Sequence, residues 1–396
     1  MRLGKARFAE RGRIVVARPS YGRTGGGSRV PEARITDLYR AWRAASLGDR
    51  EIVEGIVASD RAPAEAEGAL AEWDASGGTH YWDAYGGATW LVLAREPRPS
   101  RERWWLHALL LVITLATTTL GGIAIAGFSV DLHSLTPRSV RAGMAFSLPL
   151  AAILLAHESG HYVTARRYKL NVSPPFFIPW PPVVDYIGNL LGTLGAFIRI
   201  RSPVFDRRTL FDVGVAGPIA GLVIAVPVLF AGLAISTVTT LPAMPMAHQF
   251  LTAEATPLYL GDSAIMLLAR ALLGFHGTVH LHPVAVAGWV GVLVTTLNLL
   301  PLAQFDGGHI TYAMSSRGQR IIAIWVMLGL LALGFLWSGW WVWGGLALAV
   351  GRGKIVHPEV LSPTRPLDRR RMTIGWIALA IFLATFAPIP IAVSGL

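Results

Sequence analysis

Ala156-His157-Glu158-Ser159-Gly160-His161 lies near the end of an apolar run that opens around Arg141 and closes on Arg166, Arg167 and Lys169. The run reads as a helix, and two histidines four apart on a helix project from one face, one turn above the other. Both imidazoles can therefore reach a single metal ion. Glu158, next to His157, is placed to take a proton from a water at that ion. A catalytic zinc site uses three protein ligands and keeps one position open. His157 and His161 supply two, so the chain must bring a third from elsewhere.

The surroundings of this stretch explain its setting. Of 396 residues, 53% are hydrophobic and 15% charged, whereas soluble domains carry roughly 25% charged residues. Mean hydropathy is +0.48. Several runs reach about 20 apolar residues, the length that crosses a bilayer. The composition predicts an all-α polytopic membrane protein of about six to eight transmembrane helices with a small soluble N-terminal region. The net charge of +11 would suggest nucleic acid in a soluble chain. Here Lys and Arg gather beside the apolar runs, the pattern of cytoplasmic loops, so the bilayer is the expected partner and nucleic acid is not. With no cysteine, disulfides and thiolate ligands are excluded. The first thirty residues have no apolar core before a cleavage site, so no cleaved signal peptide is expected.

Working outward, residues 1–34 read as a flexible basic tail and 35–100 as a small soluble region. Leu38, Trp42 and Ala45, then Ile52, Ile56 and Val57, suggest helix up to about Trp73, and residues 80–95 suggest a hairpin. Spans are expected at about 105–127, 142–165, 210–236 and 283–303. Residues 321–350 read as a helical pair broken at Ser338-Gly339, and a last span occupies about 373–393, beyond a basic loop at 352–371. The segment 351–396 thus holds a cytoplasmic loop and a final helix. From Thr209 to Ser316 the only basic residue is Arg270, which puts most of 237–282 outside, with an amphipathic helix at 258–275. The glycines of Gly188-Asn189-Leu190-Leu191-Gly192 and of Gly195 make a poor spanning helix. A re-entrant loop or β-hairpin near the active site fits better, because irregular backbone at membrane depth must be shielded by protein.

The topology narrows the search for the third ligand. The second span reaches the cytoplasmic side at His161 and the fourth does so at Asp306, so the two meet at similar depth. A carboxylate at the end of an apolar helix is costly without a partner, and a zinc ion on His157 and His161 would be that partner. Pro301 breaks the helix, and Gly307-Gly308 free the backbone beyond the acid, so that Asp306 can turn toward the histidines.

Asn298-x-x-Pro301-x(4)-Asp306-Gly307, set in a span separate from His157-Glu158-x-x-His161, resembles the site-2 protease family of intramembrane zinc metalloproteases. The Gly188-Asn189-Leu190 segment, the Arg-rich stretch 199–208 and Ala216-Gly217-Pro218 look like its bacterial and plastid members. The likeness covers roughly residues 104–350, with no room for a PDZ insert, and Phe305 stands where the family usually has an aliphatic residue. The resemblance implies one Zn2+ per chain on His157, His161 and Asp306, with Glu158 as general base. It implies hydrolysis of peptide bonds in or near transmembrane segments of membrane-anchored substrates, as in regulated intramembrane proteolysis. It places the site toward the cytoplasmic side of a bacterial inner membrane. It also implies a polar contact near the metal from Asn298, while Asn189 reads either as a loop cap or as a hydrogen-bond donor to an extended substrate.

Other readings are weaker. His309, close to Asp306 in sequence, reads either as a support for that ligand or, the favoured reading, as an ordinary interfacial histidine, and His276, His280 and His282 are expected on the opposite side of the membrane from the site. A metal-ion transporter would spread its ligands along a path through the bilayer, whereas these gather at one depth. A catalytically silent scaffold would not require His157, Glu158, His161 and Asp306 together.

Overall fold

The computed structural model describes residues 39–47, 50–57, 63–85, 88–95, 102–131, 133, 135–168, 170–181, 191–201, 204, 206–239, 248–251, 257–275, 278–357, 360 and 366–393. The tail 1–34, Asn189 and His276 lie outside the described residues. The chain divides into two compact units, Met1–Arg101 and Glu102–Leu396.

The first unit is an antiparallel sheet with one helix. β1 (Tyr39–Leu47), β2 (Arg50–Val57), β3 (Gly78–Tyr85) and β4 (Ala88–Arg95) pair in the order β1-β2-β4-β3, and α1 (Pro63–Ala75) follows β2. Leu70 and Trp73 of α1 pack on Tyr39, Val53, Val57, Leu91 and Leu93. The expected hairpin at 80–95 forms, as β3 and β4. The helical pattern expected up to about Trp73 forms only at its end, as α1, while 39–47 and 50–57 are strands, because an i, i+4 spacing is common to periods of 3.6 and 2. In β2, Val53, Gly55 and Val57 alternate inward at period 2, and β-branched residues favour that reading.

The second unit is mostly helical. α2 (Trp104–Ile125), α3 (Pro137–Arg167) and α4 (Arg207–Ala234) are followed by α5 (Ala264–Leu273), α6 (Pro283–Asn298), α7 (Asp306–Met314), α8 (Ser316–Leu333), α9 (Gly339–Val350) and α10 (Arg369–Thr385). Among the described residues, α2, α3, α4 and α8 are long and apolar enough to cross a membrane, while α5, α6 and α9 are shorter apolar helices. α3 starts at Thr136, whose hydroxyl accepts from the Ser139 N–H while the Ser139 hydroxyl accepts from the Thr136 N–H; Pro137 occupies the first turn. It ends on Arg166 and Arg167, cations that suit the negative end of a helix. The expected fourth span is shorter than foreseen: α6 stops at Asn298, and Leu299–Phe305 is a loop. The expected pair in 321–350 forms as α8 and α9. The Trp341 indole donates to the Leu331 carbonyl, and the Ala303 N–H donates to the Ile355 carbonyl at 2.8 Å. That bond brings the chain after α9 back to the loop before α7. Exposed Ile321, Ile324, Trp325, Leu328 and Leu331 line one face of α8, the stripe a lipid-facing helix presents.

Of two further sheets, the first is a β-hairpin such as was expected near the site, and the second makes the all-α expectation too narrow. β5 (Phe176–Pro179) and β6 (Thr193–Phe197) pair antiparallel. Residues 237–282, expected as an outer loop with one helix, also contain strands. β7 (Thr237–Thr239), β8 (His248–Leu251), β9 (Pro257–Leu260) and β10 (Thr278–His280) join β11 (Ile391–Val393) in the order β11-β9-β8-β10-β7. β11 lies antiparallel to β9, so the far end of α10 and the segment before α5 meet at one sheet. At the opposite end, Arg371 of α10 grips Asp212 of α4 by two bonds of 2.8 and 2.6 Å, and the Tyr168 hydroxyl donates to the same carboxylate.

Candidate metal centre

α3 supplies two donors by its period alone. The His157 and His161 rings stand edge to face with centroids 4.9 Å apart, their Nε2 atoms are 3.2 Å apart, and both side chains are buried. His161 Nδ1 lies 2.8 Å from the Val213 carbonyl oxygen of α4. A carbonyl only accepts, so Nδ1 carries the proton and Nε2 keeps its lone pair for a metal.

Room for the imidazoles comes from α4. A Cβ on Gly217 would stand 2.1 Å from His161 Nε2, and one on Gly221 would stand 3.1 Å from His157 Nδ1. The spacing of Gly214, Gly217 and Gly221 marks a close helix contact in the sequence. That the space holds imidazoles, and that Val213 turns His161, is visible only once the helices are packed.

The third donor arrives on a loop. Asp306 Oδ2 is 3.2 Å from His161 Nε2 and 3.3 Å from His157 Nε2. Leu299–Phe305 folds back over the start of α7 so closely that a Cβ on Gly307 would lie 1.9 Å from the Leu299 oxygen, and one on Gly308 2.5 Å from the Ala303 oxygen. Neither glycine has a positive φ. The pair therefore permits contact between backbones rather than unusual dihedral angles, a correction to the reason expected from sequence.

The three donor atoms form a nearly equilateral triangle. Tetrahedral zinc with bonds of about 2.0–2.2 Å requires neighbouring donors roughly 3.3–3.6 Å apart. Two imidazole nitrogens and a carboxylate oxygen at 3.2–3.3 Å fit that requirement. Among the described residues this is the one group of three side chains that could hold a metal.

Glu158 is 6% exposed, and its carboxylate faces the main chain at Ile198, the residue after β6. Asn298, the last residue of α6, places Nδ2 3.3 Å from His157 Nε2, so it stands beside the donors. Asn189 cannot be placed, being outside the described residues. His282 caps α6 by accepting from the Val284 N–H, and with His280 it stays out of the metal group. Of the two readings of His309, the contact it makes suits support of Asp306 better than an ordinary interfacial histidine. Its Nδ1 is 2.7 Å from Nε2 of His357, a residue 7% exposed.

Residues 145–336 match peptidase family M50, a stretch that contains all three donors and Glu158. The chain is 30% identical over 323 residues to the chloroplastic probable zinc metalloprotease EGY1 of Arabidopsis thaliana, covering 74% of this chain and 55% of the relative. It is 31% identical over 264 residues to its counterpart of the same name in Oryza sativa subsp. japonica, covering 65% and 41%. Against the Arabidopsis probable zinc metalloprotease EGY2, chloroplastic, identity is 27% over 259 residues, covering 64% and 43%. The chain thus spans about half the length of the curated relatives it matches. No solved structure matches it.

Proposed function

Because residues 145–336 match peptidase family M50, we propose that the chain is an intramembrane zinc metalloendopeptidase acting on membrane-anchored proteins. The observation that carries this reading is the triangle of His157, His161 and Asp306 donors with Glu158 on the helix that supplies two of them. His157, His161 and Asp306 would hold the ion and leave one position open. Zinc, when bound, supplies the Lewis acidity that makes water a nucleophile near neutral pH and polarises a carbonyl. Glu158 takes the proton of the attacking water and returns it to the leaving amine. Asn298, beside His157, is positioned to donate to the substrate carbonyl as charge develops on it.

A transmembrane substrate hides its carbonyls in its own helical hydrogen bonds, so it must unwind before it is cut. Among the described strands β6 pairs with β5 alone, and Ile198, the residue after it, faces Glu158. Its second edge is available to accept the unwound segment as an added strand, with main-chain bonds replacing the helical ones. Asn189 is a candidate to extend that contact. In this reading the β5–β6 hairpin enters the membrane among some six to eight spans. The basic loops put the site on the cytoplasmic side, or on the equivalent face of a plastid membrane. The relatives' chloroplastic names turn the compartment toward the plastid line and away from the bacterial inner membrane expected from sequence.

The test is elemental analysis of detergent-purified protein, paired with cleavage of a transmembrane peptide. About one zinc per wild-type chain, strongly weakened in His157→Ala and Asp306→Ala, is the expected result. Glu158→Gln should keep the zinc and lose about 10²–10⁴-fold in cleavage rate. A zinc-free, folded wild type would sink the proposal. Cleavage that survives Glu158→Gln would remove the general base from it.

A further inference from the structure

Asp306 is the first residue of a helix of nine. Helices that short are marginal in isolation, so the direction in which its first turn points must be set by contacts outside it. Phe305, at its N-cap, provides no side-chain hydrogen bond. The helix packs on α4, where Ile310, Tyr312 and Ala313 meet Leu210, Phe211 and Val215, and the segment after α9 holds it at two further points. Before the helix, the Ala303 N–H donates to the Ile355 carbonyl, and Ala303 has φ 43°. A non-glycine residue there costs on the order of 1 kcal/mol and persists only where its surroundings impose it. Inside the helix, His309 Nδ1 meets His357 Nε2 at 2.7 Å.

The second contact has a geometric consequence for the metal centre. Asp306 and His309 are three apart, so they share one face of the helix. The rotation of α7 that aims His309 at His357 is the rotation that aims Asp306 at His157 and His161. His357 is itself fixed. Its backbone N–H donates to the Gln319 amide oxygen at 3.3 Å, and its ring lies against Tyr312 with centroids 4.6 Å apart. The Tyr312 hydroxyl in turn accepts from the Val360 N–H. Residues of α7 and α8, with Ile355, His357 and Val360, therefore lock one another.

We propose that His357, acting through His309, is a positioning residue for the metal centre, and that the segment after α9 is the strap that holds Asp306 against the two histidines of α3. The inference rests on the proposed zinc site and adds to it two residues that touch neither metal nor substrate. His357→Ala removes the lock and leaves all three donors in the chain. Gln is the conservative replacement, since its amide reaches where Nε2 stood and can still bond to His309.

The experiment is competition for zinc against a chelator, on full-length protein in detergent, with thermal unfolding measured alongside. His357→Ala should weaken zinc retention by about 10–100-fold, and His357→Gln should restore most of it. In an Asp306→Ala background, His357→Ala should cause no further loss, because the residue through which it acts is gone. Equal retention in wild type and His357→Ala would overturn the strap and leave the zinc site standing. Losses that add in the double variant would overturn it too, by assigning His357 a general packing role. A wild type that binds no zinc would overturn the zinc site itself and the strap with it. If His357→Ala does not fold, His309→Ala is read through the same comparison, with the same loss expected and the same results overturning it.

Discussion

The metal centre has two halves of different construction. His157 and His161 belong to one helix of 31 residues, and its period puts them on one face. Asp306 belongs to a short helix behind a loop, and it reaches the site through backbone packing at Gly307 and Gly308 and bonds to the segment after α9. One half is local geometry and the other is tertiary structure. The first should tolerate distant damage and the second should not.

Adding one methyl group to each half is the strongest way to break that contrast. In Gly217→Ala the new Cβ lies 2.1 Å from His161 Nε2, on a helix too well packed to yield. Overpacking of this kind costs about 1–3 kcal/mol. The ring must leave its place, so zinc should fall at least about tenfold in affinity while the helices still assemble. In Gly307→Ala the Cβ lies 1.9 Å from a backbone oxygen, that of Leu299, and the whole loop must move. Zinc retention should fall as far, and stability further than in Gly217→Ala. Chelator competition and thermal unfolding, run on both variants, separate the two outcomes. A Gly307→Ala protein that binds zinc normally would show that the loop is not held as tightly as the packing implies.

This division also explains what the sequence disclosed. His157, Glu158 and His161 are legible because helical period converts spacing directly into a shared face. Asp306 is legible because charge asymmetry orients the spans and an acid at the end of an apolar run stands out. Gly217 and Gly221 announce only a close helix contact, since nothing in their spacing says that imidazoles fill the gap. The pairing of His309 with His357 spans 48 positions and has no local signature. The same limit governs the first unit, where Ile52 and Ile56 satisfy both a helix and a strand and only sheet pairing decides. The sheet that joins residues 391–393 to 257–260 is likewise a long-range pairing between short strands of little periodicity.

A smaller effect is expected at the junction of the two halves. Arg371 binds Asp212 with both arms of its guanidinium, and Asp212 precedes Val213, whose carbonyl orients His161. Removing Arg371 leaves a partly buried carboxylate with one hydroxyl partner. A charged, partly exposed bond of this kind contributes about 1–2 kcal/mol. Arg371→Ala should therefore lower the unfolding midpoint and weaken zinc by a few-fold at most, because helix α4 still carries Val213. A loss of zinc as large as that of Gly217→Ala would mean that the His161 end depends on tertiary support as much as Asp306 does.

The smallest expected effect lies at the other end of α3. Thr136 and Ser139 close a reciprocal cap, and Thr136→Ala should cost about 1 kcal/mol of stability. His157 lies twenty residues from the first residue of the helix, roughly 30 Å along its axis at about 1.5 Å per residue. Between them α3 is clamped by Phe146, Leu150, Ile153 and Leu154, all buried in the main core. Fraying at Thr136 should stop at that packing, so zinc affinity should match wild type while thermal stability drops. If zinc affinity falls with the cap, α3 does not act as a rigid carrier of its two histidines, and the local half of the site depends on its far end after all.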